Sequence, residues 1–125
     1  MREIEYRGKR KDNEQWIYGN LIRWGDNRYS IMPIPMHVEL AFSNYEVIPE
    51  TVGQYTGLKD KNGVKIYEGY ILNHDGDLWL VKYLEEDGMF VLIWENITEN
   101  FSNMNSKWFE VIGNIYDNPE LLEGE

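Results

Sequence analysis

A chain of 125 residues is one domain's worth or two very small subdomains, and it can bury only about two thirds of its extended surface. It has no cysteine, which excludes a disulfide framework and a thiolate site, and no apolar run approaches membrane-spanning length. The formal charge of −10 disfavours phosphate backbones and anionic lipid, because nucleic-acid binding relies on Lys and Arg replacing counterions.

The charge is uneven along the chain. Residues 1–28 hold seven Lys/Arg against five Asp/Glu, whereas residues 29–125 hold five against seventeen. The stretch 85–125 is the extreme, with ten acids against Lys107 alone. Five Trp and nine Tyr are many for this length, and aromatic residues favour half-buried strands, so a mainly β protein is expected. No charged-then-apolar leader opens the chain, so a soluble intracellular protein is expected.

Ile4 and Tyr6 alternate with Glu3, Glu5 and Arg7, which predicts a short first strand with one apolar face. A polar turn at 11–14 leads to a partner strand over 16–24, and Gly25-Asp26-Asn27 turns the chain into a third strand over 28–32. This is an N-terminal β meander. Pro33 and Pro35 lack the ladder donor and predict an edge or surface connection around Ile34. Weaker extended segments are expected over 36–42 and 45–48.

The stretch 46–72 joins this meander to a second set of strands. Pro49 biases Ile48 toward extended geometry, and Asn62-Gly63, between Leu58 and the pair Val64 and Ile66, predicts a tight type I′ hairpin. The wording Val47-Ile-Pro-Glu-Thr-Val-Gly-Gln-Tyr-Thr-Gly-Leu-Lys-Asp-Lys-Asn-Gly63, followed by Ile66-Tyr67-Glu68-Gly69, resembles the YopX family of bacteriophage and prophage proteins. The opening residues 1–10 and the closing Glu110-Val-Ile-Gly-Asn-Ile-Tyr-Asp-Asn-Pro-Glu-Leu-Leu122 are similar to that family's start and end. The resemblance implies a phage-encoded cytoplasmic protein with an SH3-type small barrel in its second half, and self-assembly. It carries no catalytic residue and no activity over to this chain. Tyr70 departs from the pattern, standing where members often have Asp after Tyr-Glu-Gly.

Beyond the hairpin, short strands are predicted over 64–66, 70–73, 78–84, 89–94 and 108–116, with turns at Asp75-Gly76 and at Glu85-Glu86-Asp87-Gly88. Five short strands at this spacing suit a small barrel. Ile97, Phe101 and Met104 stand at helical spacing, which predicts a short helix capped by Asn96 or Thr98 between the last two strands. The expected organisation is an N-terminal β subdomain over 1–50, an SH3-like barrel over 51–118 and an acidic tail over 119–125, whose Pro119 can start one helical turn.

Arg7, Lys9, Arg10 and Lys11 form the one basic cluster, expected to contact protein, and above all the acidic region headed by Glu85 and Glu86 on another copy. His74, Asp75 and Asp77 form a donor set that a divalent cation could use, against the simpler reading of a polar hairpin turn. Trp79, Tyr83, Phe90 and Trp94 could cage a cationic side chain, against the simpler reading of core. With two His and no Ser in a nucleophile elbow, no catalytic, cofactor or metal site is assigned. The expectation is a non-enzymatic accessory protein without a cofactor, self-associating, with a host protein as possible partner and without direct nucleic-acid or membrane binding. An acidic decoy for a host nucleic-acid-handling protein is the alternative, and a small hydrolase or metal enzyme the third.

Overall fold

The computed structural model describes residues 4–33, 45–101 and 106–123. The extended segment expected over 36–42 lies outside them. The chain is mainly β, and its contacts divide it into two compact units, residues 1–55 and 56–125.

Unit 1 is an antiparallel sheet in the order β4-β3-β2-β1-β5, built from β1 (Tyr6–Lys9), β2 (Trp16–Gly25), β3 (Arg28–Met32), β4 (Glu46–Val47) and the first residues of β5 (Gly53–Lys59). The meander is as expected, but its first strand is shifted. Ile4 is 65% exposed, and β1 starts at Tyr6 because its register pairs Tyr6 with Gly19 and Lys9 with Trp16. The alternation also misjudges the inward face: Arg7 and Gly8 are buried, while Tyr6 is half-buried. Gly8 packs closely on β4: a Cβ there would stand 3.1 Å from Val47 Cβ, and that side chain would have to give.

Val47, Ile31 and Met32 form the apolar centre of this unit. Thr51, in the 3-10 turn Pro49–Thr51, ties it to β1: its hydroxyl accepts from Lys9 N at 2.9 Å and donates to Ile48 O at 2.6 Å. The backbone supports the same junction, with Ile48 N donating to Lys9 O and Lys11 N to Glu46 O.

β5 runs on into unit 2, where β6 (Lys65–Tyr67) pairs with it. A separate five-stranded antiparallel sheet follows in the order β10-β9-β8-β7-β11: β7 (Tyr70–His74), β8 (Asp77–Leu84), β9 (Met89–Trp94), β10 (Ile97–Asn100) and β11 (Glu110–Asn114). β10 and β11 are its two ends, and no pairing among the described residues closes it into a barrel. Ile66, Ile71, Leu72, Val81, Val91 and Leu92 are each at most 2% exposed and form the core of this unit.

Two local expectations are corrected. The stretch expected to form a helix forms β10 instead, because Glu95-Asn96 make a two-residue turn, with Glu95 at φ 56°, that folds Ile97 back onto Trp94. A continuing ladder satisfies more backbone groups than a free helical turn among Asn and Ser. Met104 lies outside the described residues. The second correction concerns Asn62-Gly63: Gly63 has φ 82°, but Asn62 is not at positive φ, so the turn is not type I′. Gly63 N donates to Asp60 O and Asp60 N to Val64 O, which is a turn over residues 60–63 with a left-handed Gly. Asp75-Gly76, at φ 52° and 91°, is the turn with both centres left-handed, as a two-residue type I′ hairpin needs.

Candidate functional site

The basic cluster is occupied within unit 1. Strand pairing puts Arg7 opposite Tyr18 and Lys9 opposite Trp16, so both side chains meet an aromatic partner strand. Arg7 is 3% exposed, its Cζ lies 3.5 Å from the Trp16 ring centroid, and Nη1 donates to the Tyr18 hydroxyl at 3.4 Å. Lys9 Nζ stands 5.7 Å from the same ring. Arg10 forms an ion pair with Asp12 at 2.8 Å and stands over Tyr45, and Lys11 forms one with Glu46 at 2.9 Å. Glu85 and Glu86 sit exposed in the β8–β9 turn of unit 2.

Glu46 is a polar centre that sequence reasoning missed. Its carboxylate accepts from Arg28 Nε at 3.1 Å and Nη2 at 3.0 Å, and from Lys11 Nζ at 2.9 Å. The hydrogen bonds from Arg28 first and Lys11 second hold its pKa down at about 2. A carboxylate held down in this way contributes stability above its unfolded range and loses it as pH falls. The gap in melting temperature between the wild type and Glu46→Gln is therefore expected to be open at neutral pH, to narrow below about pH 4 and to vanish near pH 2. Thermal melts over that range check it, and a gap independent of pH would show that the network does not stabilise the strand edge. Of the three residues in this network only Lys11 was singled out by the sequence, in the basic cluster; the Arg28–Glu46 pair spans eighteen positions and needs β3 and β4 to be neighbours.

In unit 2, the motif stretch is structural. The buried Asp60 carboxylate accepts three backbone N–H groups: Asn62 at 2.8 Å and Val64 at 2.9 Å on Oδ1, and Val111 at 2.9 Å on Oδ2. Lys61 N adds a bond to Phe109 O, so the outer edge of β11 is covered by the 60–63 turn. Thr56 Oγ1 donates to Ile66 O and accepts from Leu58 N, fixing β5 beside β6. Gly69, at φ 95°, leaves room for the Tyr116 ring, which a Cβ would approach to 3.0 Å. Tyr70, the departure from the motif, is buried and packs on Tyr67 with ring centroids 5.8 Å apart.

The four aromatics of β8 and β9 form two cross-strand pairs, Trp79 with Trp94 at 5.7 Å and Tyr83 with Phe90 at 4.9 Å. Their rings pack on one another, with the buried Val81 and Leu92 between the pairs in register. His74 instead lies against Trp108, with centroids 6.1 Å apart and planes at 30°, and against Phe109 at 5.5 Å. Its Nε2 is 3.6 Å from Asp75 Oδ2, and among the described residues no three His, Asp or Glu side chains converge on a cation position. Trp108 is 60% exposed, and no sequence signal distinguished it from a core tryptophan.

A cleft of about 350 Å³ on unit 1 is lined by Leu21, Asn27, Tyr29, Pro49, Glu50 and Val52. Its ionisable groups are the Glu50 carboxylate and the Tyr29 phenol. Among the described residues no helix is long and apolar enough to cross a membrane.

The family model described as "YopX protein" matches residues 5–123. Among solved structures, the chain is similar to protein EF1440 from Enterococcus faecalis, a crystal structure, at 27% identity and a TM-score of 0.66, over 98% of this chain and 100% of that one. No curated protein matches it.

Proposed function

The chain belongs to the YopX family, and we propose that it is a non-enzymatic phage or prophage accessory protein that works in the host cytoplasm through protein–protein contact, first of all with copies of itself. The observation that supports this is the run of exposed apolar side chains late in unit 2. Trp108, Ile112, Tyr116 and Leu122 are 60%, 40%, 36% and 37% exposed. Single exposed apolar residues are ordinary, but a concentration of them in one short stretch suits a contact surface. Ile112 is the extra residue where the β11–β7 register shifts, which takes it out of the ladder. The strand order of unit 2, a meander whose fifth strand returns beside the first after a 3-10 turn at Ser106–Trp108, supports reading it as an SH3-type roll.

Light scattering and sedimentation from micromolar to millimolar concentration are expected to give a mass that is a multiple of 14.9 kDa. A monomer throughout would overturn the proposal. Charge favours one other reading: unit 2 carries five Lys against fourteen Asp/Glu, a net −9, suited to a decoy that presents carboxylates where phosphates would sit. A monomeric chain that captures a DNA-handling host protein, and releases it to competing DNA, would replace the first reading with this one.

A further inference from the structure

The contact inferred below rests on the self-association just proposed and names one side-chain pair within it. Three aromatic rings of unit 1 lie under guanidinium groups. Arg7 Cζ lies 3.5 Å from the centroid of Trp16, Arg28 Cζ 4.0 Å from that of Trp24, and Arg10 Cζ 5.2 Å from that of Tyr45. A planar, weakly hydrated guanidinium gains from the negative face of an indole and loses little hydration in doing so.

Unit 2 has no arginine, since its five cations are all Lys. It nevertheless presents Trp108, 60% exposed, with one ring face backed by His74 and His74 backed in turn by Phe109. Asp75, whose side chain is 90% exposed, and Asp77 flank the same hairpin. An exposed indole backed on one face, in a unit of net −9, suits a planar cation and repels a phosphate-bearing base.

This chain also carries the complementary group. Of the described arginines, Arg7, Arg10 and Arg28 each stand over a ring, whereas Arg23 stacks on none. Its side chain is 63% exposed. Its contacts are a long hydrogen bond from Nε to Gly25 O at 3.4 Å and a 3.8 Å ion pair with the fully exposed Asp26. We propose that Arg23 of one copy stacks on Trp108 of a second copy, a cation–π contact between unit 1 of one molecule and unit 2 of another.

The test is sedimentation equilibrium of the full chain as wild type, Arg23→Ala, Trp108→Ala and the double variant. Both residues are exposed, so thermal melts should match the wild type; Arg23→Lys and Trp108→Phe, with partial losses expected, stand in if an alanine variant does not fold. Each alanine change is expected to raise the dissociation constant of the assembly about five- to thirty-fold. The double variant should be no worse than about two-fold beyond the weaker single one, because both remove the same pair. If the wild type associates and neither variant alters it, the contact is overturned while self-association stands. Fully additive losses would also overturn it, since the residues would then act in separate contacts. A wild type that stays monomeric overturns both proposals.

Discussion

Asp60→Ala is expected to lower the stability of unit 2 by about 3 kcal/mol or more, and the melting temperature by roughly 10 °C. The buried carboxylate accepts three backbone N–H groups, from Asn62, Val64 and Val111. Alanine leaves all three without an acceptor at a position only 4% exposed. A buried donor stripped of its partner costs about 1 to 3 kcal/mol, and the three losses overlap because one turn can relax as a unit. Asp60→Asn should fall between, since its amide oxygen still serves Asn62 and Val64 while its NH2 group faces the Val111 N–H. Denaturant melts give the magnitude, and amide exchange at Val111 reports whether β11 has been released. Equal stability of all three proteins would mean that the turn holds β11 without the carboxylate.

Gly19→Ala is the expected counterpart in unit 1, with a loss of about 2 to 4 kcal/mol. Gly19 lies in β2 at φ 156°, and a Cβ there would stand 1.9 Å from Met32 O and 2.7 Å from Met32 C. Both are backbone atoms of β3, so no side chain can swing away, and relief requires the β2–β3 ladder to move. Gly63→Ala is the matching control. Gly63 has φ 82° and nothing within 4 Å of a built Cβ, so alanine there meets backbone strain alone, about 1 kcal/mol. A Gly19→Ala protein that melts no lower than Gly63→Ala would show that β3 yields easily beside β2.

Strand existence and turn position were legible in the sequence wherever period-two apolar patterning met a glycine-bearing turn. β2, β3, β8 and β9 stand within a residue of their expected bounds, and the Asp75-Gly76 turn is where its dipeptide put it. β5 was not read as a strand, because Gly53-Gln-Tyr-Thr-Gly-Leu-Lys59 has neither an apolar run nor clean alternation; its place comes from the partners it finds in β1 and β6. β10 shows the same limit from the other side. Ile97 and Phe101 have helical spacing, yet all four residues of the strand are exposed, so pairing with β9 and not an apolar face determines its conformation.

The fate of polar groups belonged to tertiary structure throughout. Arg7 reads as a charged, outward residue, but cross-strand pairing sets it beside Trp16 and Tyr18, and the guanidinium is buried under an indole. Asn62-Gly63 alone predicts a type I′ turn, yet Asp60, receiving a bond from Val111 fifty-one residues away, selects a different turn around the same glycine. Composition and patterning were enough for the class of the protein, its two sets of strands and the acidity of the second. Which carboxylates bind backbone, which cations lie on rings and which tryptophan stays outside depend on contacts between residues far apart in the chain, and local propensity carries no term for those contacts.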